Sequence, residues 1–159
     1  PHIVSVMVPR LVEILSDEDP EGRAQYEANG EAFVRELEAL DLEIAALMAQ
    51  SPAAAVIAFH PSWSYFSARY GPAVNAYVEP IPGKELTPRG ILKFREEFSN
   101  QNQVVVLSEV QLPPNSADAL AETLSARVGV LDPLGGASPL DSYPALLRHN
   151  ADRLREVLQ

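Results

Sequence analysis

The amino-acid sequence predicts an α/β fold: a four-stranded parallel, Rossmann-like sheet with helices on both faces, preceded by a long helical spine. Three observations predict it. Two stretches before residue 50 repeat their apolar residues at helical spacing. Four short apolar runs after residue 52 read as buried strands, and each is followed by a stretch of helical character. Strands that alternate with helices imply right-handed crossovers and a parallel sheet covered on both sides.

In order along the chain, residues 2–16 carry Ile3, Val6, Met7, Leu11, Ile14 and Leu15, which is helical spacing interrupted only by Pro9. Asp17, Asp19, Pro20 and Gly22 break the pattern. A second helix is expected over residues 21–49, with a stripe of Tyr26, Phe33, Leu37, Leu40, Ile44 and Leu47 and many Ala, Leu and Glu residues. Residues 54–59 are a continuous apolar run, the mark of a strand buried on both faces. Residues 61–70 begin with Pro and read as a helix ended by Gly71-Pro72. Residues 74–78 form a second strand and 79–88 a loop, after which Thr87 caps a helix with Pro88 at its first position, running to about Ser99. The third strand is 104–107, a helix follows over 116–125, and the fourth strand is 128–131. A loop over 133–140 leads to a closing amphipathic helix over 141–158. We expect residues 1–51 to form the spine and 52–159 the α/β lobe, packed as one structural domain.

Composition narrows the function. The 159 residues are 47% apolar and 21% charged, ordinary values for a globular chain with one real core. The formal net charge of -10 argues against a nucleic-acid partner, because neutralising phosphates takes clustered Lys and Arg. With no cysteine, disulfides and thiolate metal sites are excluded. No apolar run approaches the roughly 18 residues of a membrane span. The chain opens on Pro1 rather than Met, from which we expect that an upstream segment has been removed.

In open α/β sheets ligands bind beyond the carboxyl ends of the strands. Four polar residues fall there: His60 after the first strand, Glu79 at the end of the second, Glu109 after the third and Asp132 after the fourth. An imidazole and a carboxylate at parallel strand ends can meet on one cation, and both suit Zn²⁺. Because both follow parallel strands directly, and neighbouring strands are about 4.8 Å apart, His60 and Asp132 are expected at the same edge of the sheet with side chains close enough to share one ion or one water. Each also has a plainer reading: His60 as a polar cap of the following helix, and Asp132 before Pro133 as a turn residue. His2 and His149 lie on helices without an acidic partner fixed by spacing and read as surface residues. Trp63, Tyr65 and Phe66 read as core and rim packing. Gly135-Gly136 lacks the pattern of a phosphate loop. Ser62, His60 and Asp132 make a poor hydrolase triad, since the G-x-S-x-G elbow is missing and Ser62 sits too close to His60 in sequence.

The run Phe59-His60-Pro61-Ser62-Trp63-Ser64-Tyr65-Phe66, continued by Ala68-Arg69-Tyr70-Gly71, resembles the metal-histidine motif in the second lobe of the zinc/manganese substrate-binding proteins of bacterial ABC transporters, the metal-uptake and adhesin cluster. Further likenesses follow in the family's order. They are Asp19-Pro20-Glu21 with Tyr26-Glu27-Ala28-Asn29; Glu79-Pro80 with Gly83-Lys84-Glu85 and Thr87-Pro88-Arg89; Val130-Leu131-Asp132-Pro133-Leu134; and the helix from Tyr143 through Asn150. The resemblance spans essentially the whole chain. It implies the C-terminal lobe of a two-lobed protein whose lobes are joined by a long, rigid helix and hold metal between them. It also implies that His60 and Asp132 are the metal ligands in this lobe, with the first lobe and its ligands missing. Pro1-His2 is similar to the middle of the family's Asp-Pro-His-x-Trp segment, but Val4 would then stand at the Trp position and the helix to Asp19-Pro20 would be too short. Aligning Pro1 just after that segment gives the expected helix length.

The resemblance further implies a non-enzymatic carrier that captures zinc outside the cytoplasmic membrane, in the periplasm or on a lipid anchor, and hands it to an ABC permease. A His at position 60 goes with zinc sites in the family and a Glu with manganese sites, in line with ligand softness, so Zn²⁺ is favoured over Mn²⁺. Ser108-Glu109-Val110-Gln111 departs from the family's Glu-Pro-Gln but keeps Glu109, which reads either as a group supporting a metal ligand from behind or as a solvated strand end. With two ligands left, zinc binding by the 159 residues is expected to be weak. The cleft edge around Trp63, Tyr65 and Phe66 is expected to be exposed and able to support a dimer. The alternatives are a small hydrolase built on His60 and Asp132, and an adhesin-like interaction module.

Overall fold

The computed structural model describes every residue except 82–85, 114, 116 and 137. Gly83-Lys84-Glu85, part of the resemblance, and Ser116, the expected start of a helix, therefore lie outside the described residues. The chain divides into two units, Pro1–Ala46 and Leu47–Gln159.

In the first unit, α1 spans His2–Glu18, a 3-10 turn covers Pro20–Gly22, and α2 begins at Arg23 and runs to Met48. The turn is built by Asp19. Its Oδ1 accepts from the Gly22 N–H at 3.3 Å and its Oδ2 from the Tyr26 hydroxyl at 2.7 Å. These bonds, the Tyr26 hydroxyl first, hold the Asp19 carboxyl below the usual carboxylate range. Pro9 sits within α1 and does not end it. Where α1 crosses α2, a Cβ on Gly30 would stand 2.5 Å from Val12 Cγ2, so only glycine permits this approach. The helix forms as its spacing predicts, but its face is turned. Ile3, Val6, Met7, Leu11, Ile14 and Leu15 are all exposed, and Ser5, Val8 and Ser16 are buried instead. An open apolar groove of about 710 Å³ runs along this side, with Met7, Leu11, Ile14, Tyr26 and Phe33 in its walls.

The second unit holds the strands β1 (Ala55–Ala58), β2 (Val74–Tyr77), β3 (Val104–Glu109) and β4 (Arg127–Leu131). Its helices are α3 (Ser64–Tyr70, after a 3-10 turn at Pro61–Trp63), α4 (Pro88–Glu97), α5 (Asp118–Leu124) and α6 (Tyr143–Leu158). All strands pair in parallel, in the order β2-β1-β3-β4. β1 and β3 are central and buried along their whole length, which explains why they read as unbroken apolar runs. Their side chains alternate. Ile57, Phe59, Val104 and Val106 pack with Phe98 of the α4 end and Leu120 of α5. Val56 and Leu107 face Trp63, Phe66 and Leu154, from the α3 and α6 side. The two layers of helices thus cover opposite faces of the sheet.

Local chemistry sets the element ends. Thr87 Oγ1 accepts from the Gly90 N–H at 3.2 Å, capping α4 as its sequence predicts. The closing helix starts two residues later than 141, because Ser142 caps it through the Ala145 N–H at 3.4 Å. Between β1 and β2 the register slips at Val56, and there the Asn75 side-chain oxygen accepts from the Val56 N–H at 2.8 Å, replacing the backbone partner that the slip removes. Gly129 lets α6 lie close on β4, since a Cβ would meet Val157 Cγ1 at 2.9 Å.

Candidate metal-binding site

The strand order reverses direction between β1 and β3: the chain leaves β1 for β2 on one side and returns to β3 on the other. At such a switch point the crossovers diverge and leave a crevice beyond the carboxyl ends of the two strands. His60 follows β1 across Phe59, and Glu109 is the last residue of β3. The topology therefore brings these two residues to the crevice.

His60 occupies the position before the Pro61–Trp63 turn in extended conformation, and its side chain makes no capping bond there. The plainer reading of His60 as a helix cap is not realised. Instead its Nδ1 lies 2.9 Å from Glu109 Oε2 and its Nε2 lies 3.6 Å from Glu79 Oε2. A carboxylate only accepts, so Nδ1 carries the proton and donates to Glu109. In the neutral imidazole this leaves Nε2 with a bare lone pair. The His60 side chain is 21% exposed and that of Glu109 only 7%, so the bond is largely shielded from solvent. The Glu109 hydrogen bond holds the imidazole pKa above its usual value. The charges of Glu109 and Glu79 add to this, and partial burial opposes it. The second carboxylate oxygen of Glu109, Oε1, is buried without a hydrogen-bond partner.

Asp132 follows β4, also at the carboxyl edge. β4 does not neighbour β1, however: β3 lies between them, so the two strand axes are about 10 Å apart and not one spacing. The expectation that His60 and Asp132 follow adjacent strands is corrected accordingly. Asp132 is tied into its own turn. Its Oδ1 accepts from the Leu134 N–H at 3.0 Å, the Gly135 N–H at 2.9 Å and Gln111 Nε2 at 3.1 Å. The Gly135 bond is foremost in holding its carboxyl below the usual range; the Leu134 and Gln111 bonds and the charge of His149 contribute, against partial burial. The turn reading of Asp132 is thus realised, and His149, read as partnerless, acts on this carboxylate. Asn150, almost fully buried, clamps the Asp132 backbone from α6: its Nδ2 donates to the Asp132 carbonyl at 2.7 Å and its Oδ1 accepts from the Asp132 N–H at 2.8 Å. Sequence reasoning missed this role. The available signal was a polar residue in the row 150, 154, 158, whose other members are Leu154 and Leu158.

Among the described residues, no group of three or more His, Asp or Glu side chains is arranged to hold a metal ion. The expectation of an exposed aromatic edge is corrected at two residues. Trp63 is buried within the lobe with its indole N–H unpartnered, and Phe66 is half-buried, while Tyr65 is exposed.

The family model for the periplasmic component A of the zinc-uptake complex, ZnuA, matches residues 1–157. The chain belongs to this family. It is 31% identical over 160 residues to the high-affinity zinc uptake system protein ZnuA of Brucella abortus (strain 2308), an alignment that takes in 99% of this chain and 48% of that protein. A crystal structure of ZnuA superposes with a TM-score of 0.85 at 30% identity, covering 100% of this chain and 60% of the other. A ZnuA deletion mutant with zinc bound superposes with a TM-score of 0.83 at 30% identity, covering 100% of this chain and 58% of the other. The chain thus spans about half the length of the curated relatives it matches.

Proposed function

We propose that the chain is the second lobe of a zinc-capturing substrate-binding protein, a carrier and not an enzyme, that works outside the cytoplasmic membrane and delivers zinc to an ABC permease. The observation that carries this reading is the orientation of His60. A buried carboxylate holds Nδ1 and aims the bare Nε2 into the switch-point crevice. Metal-binding histidines are commonly held this way, because the hydrogen bond fixes the tautomer and makes the free nitrogen a better donor. Family membership and the zinc-bound relative support the choice of metal. His60 is the metal donor, Glu109 orients it, and Asp132 is the second metal-contacting residue, through the oxygen that its turn does not use. Residues 1–51 serve as the spine. Zinc is favoured over manganese because imidazole nitrogen is a softer donor than carboxylate oxygen. Neither a hydrolase nor an adhesin is favoured by any arrangement at the crevice.

Two donors make a partial shell, so binding by the 159 residues is weak. Calorimetric titration of Zn²⁺ into this chain and into its His60→Ala variant tests the reading: binding by the first and its loss in the second are expected, and equal binding by both would overturn it. Self-association is expected through the cleft edge at exposed Tyr65. Sedimentation of the chain and of Tyr65→Ser checks it, and a monomer at all concentrations would refute it.

A further inference from the structure

We propose that Glu79 is a zinc ligand of this chain, its carboxylate joining His60 Nε2 on the same ion. The proposal rests on the reading of His60 as the zinc donor and goes beyond it, because it adds a third protein ligand to His60 and Asp132.

The two carboxylates that face His60 stand at different distances, and those distances separate their roles. Glu109 Oε2 is 2.9 Å from Nδ1, the length of a direct hydrogen bond, which leaves no room for an ion. Glu79 Oε2 is 3.6 Å from Nε2, too long for a hydrogen bond. It is close to the separation of two ligands on one tetrahedral zinc. With Zn–N and Zn–O bonds near 2.1 Å and a tetrahedral angle, the two donor atoms lie about 3.4 Å apart. The imidazole nitrogen that bears the bare lone pair thus already faces a carboxylate oxygen at the spacing that a shared ion requires.

Glu79 is placed there by the sheet. Its N–H donates to the Phe59 carbonyl at 2.9 Å, continuing the β1–β2 pairing past the end of β2 and fixing Glu79 beside the residue that precedes His60. The Glu79 side chain is only 18% exposed, so it is not a solvent-facing loop residue. A second observation points to a cation. Glu109, 7% exposed, bonds the other ring nitrogen and keeps Oε1 buried without a hydrogen-bond partner, so its charge is left partly uncompensated beside the ring. Three charged or ionisable groups thus crowd one end of the β1–β3 switch point, two of them acidic. A divalent cation between Glu79 and Nε2 is the species whose charge offsets both carboxylates there.

The test uses the 159-residue chain, with Zn²⁺ affinity read by competition against a chromophoric chelator and with Co²⁺ as a spectroscopic stand-in. Glu79→Gln and Glu79→Ala are both expected to weaken Zn²⁺ binding by at least about tenfold. Both should also shift the visible ligand-field bands of bound Co²⁺, which loss of a nearby charge alone would leave in place. Metal-free melting temperatures of both variants should match the parent, showing that the fold survives. Parent-like Zn²⁺ affinity in both variants, alongside loss in His60→Ala, overturns the Glu79 assignment and leaves the His60 reading intact. Weakened affinity with unmoved Co²⁺ bands also overturns it, placing Glu79 outside the coordination shell. Parent-like affinity in His60→Ala, or no Zn²⁺ uptake by the parent at millimolar metal, overturns both.

Discussion

His60 and Asp132 both follow parallel strands at the same edge of the sheet, and on sequence alone they are equivalent. Their surroundings are not. Asp132 is satisfied by its own neighbourhood: two backbone N–H groups and Gln111 converge on one oxygen, and Asn150 clamps its backbone. His60 is satisfied on one side only. Glu109 takes Nδ1, and Nε2 faces a carboxylate that it does not hydrogen-bond. A strand-end residue with closed local bonding has a structural duty whatever else it does. One that is gripped from behind with its reactive atom outward is set up to take a ligand.

The substitution with the largest expected effect is His60→Ala. Removing the imidazole that Glu109 holds is expected to weaken Zn²⁺ binding by about a hundredfold or more, roughly 3 kcal/mol. A change of less than about threefold in a calorimetric titration would erase the contrast between the two corners.

Next comes the other corner. Asn150→Ala is expected to cost about 2 kcal/mol of folding stability, because the Asp132 N–H and carbonyl lose partners at a buried position. Denaturant unfolding measures it. An unchanged midpoint would show that the Asp132 turn needs no clamp.

Glu109→Gln is expected to weaken zinc binding by about tenfold, the usual penalty for losing a group that orients a metal-binding histidine. It also carries a pH signature. Zinc requires the neutral imidazole, and the Glu109 bond holds the His60 pKa above the ordinary value of about 6.5. Zinc binding by the parent should therefore fall off at a pH above about 6.5 as the solution is acidified, and the midpoint should move down in Glu109→Gln. In the metal-free protein the same shift has the opposite consequence. Protonated His60 stabilises the fold fully below about pH 6.5, and that contribution is lost as pH rises through the raised value. Identical pH profiles for the two proteins would remove Glu109 from the account. The smallest effects belong to His2→Ala and His149→Ala, expected to leave zinc affinity within about twofold, since neither is among the proposed zinc ligands.

Much of the fold was legible because its signals are local. β1 and β3 are buried on both faces, so their sequences are unbroken apolar runs, and Thr87 with Pro88 announces a helix start through chemistry confined to three residues. What was hidden depends on contacts distant in sequence. The order β2-β1-β3-β4 sets which strand ends are neighbours, and nothing within β4 reveals that β3 separates it from β1. The α1 stripe shows the same limit from another direction: periodicity identifies an apolar face, yet Ile3, Met7 and Leu11 are exposed while Val8 is buried. Trp63 follows the histidine motif closely, but it turns into the lobe and not toward the crevice rim. At the site, residue types alone left His60 and Asp132 with two readings each, and only the bonding around them told the two apart.

The central claim is that His60 offers Nε2 to zinc while Glu109 keeps the proton on Nδ1. Two-bond ¹⁵N–¹H correlation spectra of the histidine ring during a Zn²⁺ titration read both nitrogens directly. The account predicts that the His60 Nε2 resonance moves on metal addition while Nδ1 stays protonated, and that His2 and His149 remain unchanged. Coordination through Nδ1, or a His60 ring that does not respond while another histidine does, would contradict it.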